Sequence, residues 1–180
     1  MNKKADKIKL YNALKERLIR ESRSDLLRFT LSTMPTFRPA DFHRRYYHVL
    51  TDFADGKIRK LMVFMPPQHG KSEGSTRRLP AFLMGQNPDK KLAIVSYNAP
   101  KARKFNREIQ RIIDSPEYHD IFPNTALNAS NVTTVAGSWL RNADECEIVG
   151  YRGGFKTVGV GGALTGEPVD ILIMDDIYKD

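Results

Sequence analysis

The residues best suited to chemistry form a short turn, Pro66-Pro67-Gln68-His69-Gly70-Lys71-Ser72, between an apolar run and a helical pattern. A turn that binds nucleotide phosphates needs converging backbone N–H groups, a helix N-terminus, a lysine for the phosphates and a hydroxyl for Mg²⁺. Gly70, Lys71 and Ser72 supply the end of that arrangement. Met65, however, stands where the usual Gly-x4-Gly-Lys-Ser/Thr pattern has its first glycine.

Gly-Lys-Ser alone is weak evidence, because the tripeptide often occurs by chance and, taken by itself, is better explained by a solvated lysine at a helix start. The apolar run before the turn and the helical pattern after it favour a phosphate-binding loop. We therefore predict that Lys71 acts in catalysis as well as in binding, and that His69 shapes the turn. The predicted nucleotide contacts in the loop are Pro67, Gln68, His69, Gly70, Lys71 and Ser72.

A second candidate is a pair of acids at the end of an apolar run, Ile171-Leu172-Ile173-Met174-Asp175-Asp176. A magnesium–nucleotide site needs a carboxylate at the C-terminal end of a neighbouring parallel strand, beside the hydroxyl of the loop. We predict that Ser72 and Asp175 hold the metal, and that Asp176 orients or deprotonates the attacking water. The alternative, a strand that simply ends in a polar turn, fits one acid better than two.

The elements that must position these residues are indicated by three short apolar runs, at residues 61–65, 91–97 and 169–176. Such runs are typical of strands buried on both faces of a parallel sheet. Helical patterns follow the first two runs, at about residues 72–84 and at residues 99–113. This alternation predicts right-handed βαβ units, and hence an α/β fold whose parallel sheet carries helices on its faces.

Other segments have a different character. Apolar residues recur at helical spacing within residues 7–29, which predicts one or two amphipathic helices. A further helix is predicted over about residues 42–53, with Asp41 as its N-terminal cap. Short β-rich pieces broken by glycines at residues 131–160 predict β-hairpins, and a glycine-rich loop follows at residues 159–166.

Length and composition limit the class of protein. A chain of 180 residues, 41% of them apolar, can bury one substantial core and suits one domain. The single cysteine, Cys146, excludes a secreted scaffold held by intramolecular disulfides, and a reducing cytoplasm fits best. The lysine-rich N-terminus lacks the apolar run of a signal peptide, and no stretch is long enough for a membrane span. We expect a soluble cytoplasmic protein with no membrane partner.

Positive charge is concentrated in the first third of the chain. Residues 1–60 contain 15 Lys and Arg against 7 Asp and Glu, whereas residues 61–180 contain 14 of each kind. A basic segment of this kind could bind nucleic acid through phosphate contacts that release counterions. The alternative is an ordinary solvated helical face.

The loop and its surroundings resemble the ATPase domain of tailed-phage large terminase subunits. In that family the loop often reads Pro-Pro-Arg-His-Gly-Lys-Ser, close to residues 66–72 here. The resemblance covers about residues 37–180. Further matching segments, in the family's order and at similar spacings, are Ile94-Val95-Ser96-Tyr97-Asn98, Phe122-Pro123, Gly161-Gly162-Ala163-Leu164-Thr165-Gly166 and Ile173-Met174-Asp175-Asp176.

The resemblance implies a motor that uses ATP and Mg²⁺ to package viral DNA into a preformed capsid inside a bacterial host cell. The implied fold is an ASCE-type P-loop NTPase with a β-hairpin insertion. We accordingly divide the chain into a basic helical lead segment, residues 1–36, and a partial P-loop ATPase domain, residues 37–180. The implied partners are double-stranded DNA, the portal protein, the small terminase subunit and further copies of the chain.

Three departures limit what the resemblance implies. Gln68 stands where many relatives have an arginine. The positive charge with which that arginine would stabilise the transition state is therefore either missing or supplied from elsewhere, for example by another subunit. Asp176 stands where some terminases have glutamate. Because aspartate is one methylene shorter, its carboxylate would lie about 1.5 Å further back. The chain ends at Asp180, so we expect the ATPase domain to be incomplete, with the coupling motif and the nuclease domain beyond that point.

Two weaker candidates lie outside the loop and the acids. Phe42 and His43 correspond in position to the segment that contacts adenine in such enzymes, although a histidine on an amphipathic helix is often structural. The helix at residues 99–113 carries cations that could reach a neighbour's ATP or the DNA backbone, or could form a solvated face. These cations are Lys101, Arg103, Lys104, Arg107 and Arg111.

Three functions remain open at the level of the sequence. The first is the ATPase of a packaging motor. The second is a non-catalytic remnant or nucleotide-binding module, and the third is a helicase-type ATPase, which shares the loop and the acidic strand. The Pro-Pro-Gln-His loop and the Gly-Gly-Ala-Leu-Thr-Gly segment favour the terminase over the helicase.

Overall fold

A computed structural model of the protein describes residues 3–133, 137–164, 166 and 168–178. Its α-helices are α1 (Lys3–Ser22), α2 (Leu26–Thr33), α3 (Asp41–Ala54), α4 (Leu79–Gln86), α5 (Ala99–Ile113) and α6 (Pro116–Ile121), and a π-helical segment, Glu73–Arg78, leads into α4. Its strands are β1 (Lys91–Ser96), β2 (Glu145–Glu147), β3 (Gly154–Gly159) and β4 (Ile171–Asp175). The helices predicted near residues 7–29, 42–53 and 99–113 are thereby confirmed.

The short helix α6 was not predicted. Its N-terminus carries the usual signals, because Ser115 is the cap residue, Pro116 opens the first turn and the Tyr118 N–H donates to Ser115 Oγ at 3.2 Å. Six residues are too few to show helical periodicity in a sequence.

The four strands form one sheet in the order β2-β3-β1-β4. Strand β1 pairs in parallel with both β3 and β4, whereas β2 pairs with β3 in the antiparallel direction. The sheet is therefore mixed, and the prediction of a parallel sheet is wrong in this respect. The antiparallel pairing comes from the predicted hairpin region, where β2 pairs with β3. Strand β3 in turn pairs with β1 and so belongs to the same sheet. Part of that region, residues 134–136, lies outside the described residues.

The predicted strand at residues 61–65 does not pair with the sheet. The segment alternates instead: Leu61, Val63 and Met65 pack against the core, whereas Met62 is 78% exposed and Phe64 is 86% exposed. An apolar run specifies a fully buried strand only when other strands and layers cover it. No described strand pairs with this segment, and the outer edge of β4 is also unpaired.

Helices cover one face of the sheet. Leu92, Ile94, Phe155 and Ile173 point from that face into the core that the sheet shares with the helices. On the opposite face Leu172 is 48% exposed and Met174 is 61% exposed. The prediction that helices flank the sheet is confirmed for one of its faces.

An aromatic cluster joins the N-terminal helices to the helices beside the sheet. Phe29 of α2 lies at ring-centroid distances of 5.5 Å from Phe82, 5.9 Å from Tyr118 and 6.0 Å from Phe122. Helix α2 therefore belongs to the main core. The division of the chain near residue 36 stays a prediction.

Helix α1 contacts α2 and α6, but most of its apolar side chains face outward. The exposed residues are Ile8, Leu10, Tyr11, Leu14 and Leu18. The amphipathic pattern thus predicts the helix correctly, while its apolar stripe is left without a partner in the described part of the chain.

The exposed face and edge of β4 lead to a test. We expect the unpaired edge of β4 to promote self-association of the protein. Leu172→Lys should reduce this association, because a lysine on an edge strand hinders pairing with another chain. The free energy of unfolding should change little, because this side chain is already half exposed. Sedimentation velocity over a range of protein concentrations measures the first effect, and urea unfolding measures the second.

Ile173→Ala, a change on the same strand, is the control that should alter stability. Its side chain is buried in the core, so it should lose about 2–5 kcal/mol of unfolding free energy. If self-association is unchanged in Leu172→Lys, the edge of β4 is not the surface through which the protein associates.

Candidate functional site

The loop at residues 66–70 is shaped by two residues with left-handed backbone. Gln68 has φ 62° and Gly70 has φ 80°. A Cβ atom at Gly70 would lie 3.2 Å from Nε2 of His43, so glycine suits this position both for its conformation and for its size. Helical structure begins at Lys71, directly after the loop.

Helix α3 supports the loop from behind through His43. The Ala40 N–H donates to His43 Nδ1 at 3.0 Å, which leaves Nε2 to carry the proton and donate to the His69 carbonyl oxygen at 3.2 Å. His69 in turn donates from Nδ1 to the Pro67 carbonyl oxygen at 2.7 Å. The prediction that Asp41 caps α3 is wrong, because the helix begins at Asp41 and the free N–H of Ala40 is taken by His43.

Tyr46, one turn further along α3, makes a second link to the loop. Its hydroxyl donates to the Lys71 carbonyl oxygen at 2.7 Å. Burial raises the pKa of Tyr46 to about 12, so this hydroxyl keeps its proton at neutral pH. The start of the helix after the loop is thereby fixed to α3.

The second half of the site is the end of β4. Asp175 is only 3% exposed, and Ser72 Oγ donates to its two carboxylate oxygens at 3.0 and 3.1 Å. Asp176 follows with φ 45°, a left-handed conformation that ends the strand. Successive residues of a strand point to opposite faces, so this turn is what brings both carboxylates to one edge of the sheet.

Lys71 completes the connection between the loop and the acids. Its Nζ donates to Asp176 Oδ1 at 2.5 Å, across 105 positions of sequence. Hydrogen bonding to Lys71, and secondarily to Lys101, lowers the pKa of Asp176 against the opposing effect of burial. Asp176 is therefore ionised at neutral pH, and any stability it adds is present above its unfolded-state pKa and lost as pH falls through the lowered value.

The structure brings Lys71, Ser72, Asp175 and Asp176 together as one cluster, as their assignment to one site requires. It places His43 behind the loop with both ring nitrogens engaged and its ring 3.9 Å from that of Phe42. Contact between His43 and adenine stays a prediction, and so do the nucleotide contacts of the loop. A hydrogen bond to a base would require His43 to release one of its present partners.

Lys101 belongs to the cluster and was missed as a site residue. It lies in the first turn of α5, and its Nζ donates to Asp176 Oδ2 at 3.1 Å and lies 3.8 Å from Asp175 Oδ2. The sequence showed Lys101 only as one of five cations on a helix. Knowledge that β1 neighbours β4 would have identified it, because the residues that follow β1 then lie beside the residues that follow β4.

The donor set fits a hard divalent cation and phosphate. The Ser72 hydroxyl and the Asp175 carboxylate are oxygen ligands of the kind that Mg²⁺ prefers, and Lys71 at a helix start suits an anion. Within the described ranges no group of three or more His, Cys, Asp or Glu side chains could hold a metal ion. A metal at this site would therefore take its other oxygens from water and from phosphate.

Comparison with known proteins gives the family. The family model described as terminase large subunit, T4likevirus-type, N-terminal, matches residues 62–180, a span that contains the loop, the acids and all four strands. A search of the curated proteins found no match. None of the helices in the described ranges is both long and apolar enough to cross a membrane. The match covers well over half of the chain, which therefore belongs to the terminase large-subunit family, in its N-terminal region.

Proposed function

We propose that the chain binds ATP and Mg²⁺ at the loop and hydrolyses the nucleotide to drive DNA packaging. Membership of the terminase large-subunit family supports a role in DNA packaging. The observation that best supports ATP chemistry is the double link between the loop and β4, in which Lys71 contacts Asp176 and Ser72 contacts Asp175.

Each residue of the cluster has a distinct proposed task. Lys71 exchanges Asp176 for the β- and γ-phosphates, and Ser72 and Asp175 hold Mg²⁺. When bound, Mg²⁺ neutralises charge that develops on the transferred phosphoryl group. Asp176, ionised and released from Lys71, orients the attacking water or accepts its proton.

We infer an ASCE-type P-loop NTPase fold from the same elements. An extended segment at residues 61–65 leads into the loop, and β4 ends in the acids. Residues 61–65 pair with no described strand, and the outer edge of β4 is unpaired. A further parallel strand at that edge of β4 would extend the parallel part of the sheet. The antiparallel β2–β3 pair, at the edge of the sheet opposite to β4, fits an insertion.

The proposed partners follow from the family and the charge distribution. We propose double-stranded DNA, the portal protein, the small terminase subunit and further copies of the chain, within a bacterial host cell. An alternative function is binding of nucleotide without hydrolysis. Gln68 favours this alternative, because many relatives have at this position an arginine that would place positive charge next to the phosphates.

We expect Lys71→Ala to abolish binding of ATP while the protein stays folded. The lysine serves the phosphates, and its side chain is not part of the apolar core. Calorimetric titration with ATP and Mg²⁺ measures the affinity, and circular dichroism measures the melting temperature. Lys104→Ala, an exposed lysine of α5, is the control for loss of one positive charge. Equal affinity in Lys71→Ala and the parent protein would rule out the loop as the nucleotide site.

The two acids should respond differently to neutralisation. Asp175→Asn should weaken nucleotide binding only when Mg²⁺ is present, because a proposed metal ligand is lost. Asp176→Asn should leave binding intact and reduce hydrolysis by at least ~100-fold, as expected for loss of a general base. Binding assays with and without EDTA, and phosphate release, separate these effects. Matching defects in both variants would show that the roles are wrongly divided.

DNA binding should depend on the basic lead segment. We expect sequence-independent, salt-sensitive binding, and the triple variant Lys7→Gln, Lys9→Gln, Arg17→Gln should lower the slope of log affinity against log salt by up to about 3. Fluorescence anisotropy with a duplex at several salt concentrations measures the slope. Lys104→Gln with Arg107→Gln on α5 is the comparison, and a larger loss there would move the DNA-binding surface to α5.

A further inference from the structure

Lys101 is held at the acidic pair by its own local structure. Asn98 caps α5, with the Lys101 N–H donating to Asn98 Oδ1 at 2.9 Å, so the first turn of the helix is fixed directly after β1. The Lys101 Nζ lies 5.0 Å from the Tyr97 ring centroid and 5.8 Å from that of Phe105. Two aromatic faces and two carboxylates thus fix the position of this ammonium group.

Two ammonium groups divide the Asp176 carboxylate between them. Lys71 binds Oδ1 and Lys101 binds Oδ2. Lys101 also lies 3.8 Å from Asp175 Oδ2, an oxygen that accepts a hydrogen bond from Ser72 at 3.1 Å. The site therefore contains two formal negative charges and two formal positive charges, and each carboxylate already has donors.

This balance of charge lowers the affinity of the site for a divalent cation in the absence of nucleotide. A cation bound by Asp175 would lie close to the Lys101 ammonium, and charges of the same sign a few ångströms apart repel strongly where water is partly excluded. The phosphates of a nucleotide change the balance, because they bring negative charge and give Lys71 another partner. Lys101 remains within hydrogen-bond distance of Asp176 Oδ2 when Lys71 turns to the phosphates.

We propose that Lys101 is a positioning residue that occupies the acidic pair in place of a metal ion, so that divalent cations bind there only together with nucleotide phosphates. This inference rests on the proposed nucleotide site. It assigns Lys101 two effects: it keeps the affinity for metal alone low, and it holds the Asp176 carboxylate in place when Lys71 moves to the phosphates.

The test measures Mn²⁺ binding to the full chain without nucleotide, from the free Mn²⁺ signal in electron paramagnetic resonance. Lys101→Met keeps an unbranched side chain against the two rings and removes the charge. We expect it to bind Mn²⁺ roughly tenfold more tightly than the parent protein. Lys101→Arg should behave like the parent, and adding Asp175→Asn to Lys101→Met should remove the gain.

Lys104→Met is the matched control, because it removes the same charge from the same helix at an exposed lysine that has no ion-pair partner among the described residues. The proposal is overturned if Lys101→Met binds Mn²⁺ no better than the parent, or if Lys104→Met gains equally. Thermal melting confirms that each variant is folded, and Lys101→Gln, which also removes the charge and should show the same gain in Mn²⁺ affinity, provides the test if Lys101→Met is not folded.

A second arm repeats the measurement with ATP for the parent protein and for Lys101→Met. Because ATP itself chelates Mn²⁺, the protein-bound Mn²⁺ is determined here by equilibrium dialysis against the same concentration of ATP. ATP should raise the Mn²⁺ affinity of the parent, and the difference between the two proteins should shrink. If ATP leaves the Mn²⁺ affinity of the parent unchanged, the proposed nucleotide site fails, whatever Lys101 does. If ATP raises it but Lys101→Met shows no gain in the absence of ATP, only the role of Lys101 fails.

Discussion

The site depends on the parallel register of β4 against β1. In that register Ile94 faces Ile173 and Ser96 faces Asp175, so the two strands end at the same height. A slip of one residue would turn Asp175 away from Ser72 and move Ile173 from the core to the open face, since side chains alternate along a strand. Burial of Ile173 therefore enforces the position of Asp175.

Support for the loop comes from a different part of the chain. Helix α3 bonds to the loop through His43 and Tyr46, and its buried face belongs to the same core as the sheet. The loop and the acids are thus positioned by two elements, α3 and β4, that contribute to the same core. Changes in core packing between α3 and the sheet should therefore change the distance between Lys71 and Asp176.

The open side of the sheet contrasts with this well-supported site. Leu172 and Met174 on β4, and Met62 and Phe64 before the loop, expose apolar surface. Exposed apolar patches of this kind mark surfaces that contact another layer or chain. On β4 this exposed apolar surface directly precedes the acidic pair, which suits a protein whose family works within a packaging complex.

Sequence alone determined the residues of the loop, the two acids, the extent of α5 and the family. Each of these is a local pattern: a turn between an apolar run and a helix, acids after a strand, or apolar residues at helical spacing. The ending of β4 at Asp175 could be read in the same way.

Only the tertiary structure decided which strands are neighbours, and that decision explains what the sequence missed. Strand order is a long-range property, and an apolar run has the same composition whether or not another strand pairs with it. Residues 61–65 were therefore predicted as a paired strand and are not, while β3 joined the sheet from a predicted hairpin. Lys101 became part of the site for the same reason, because the pairing of β1 with β4 places the first turn of α5 beside Asp176.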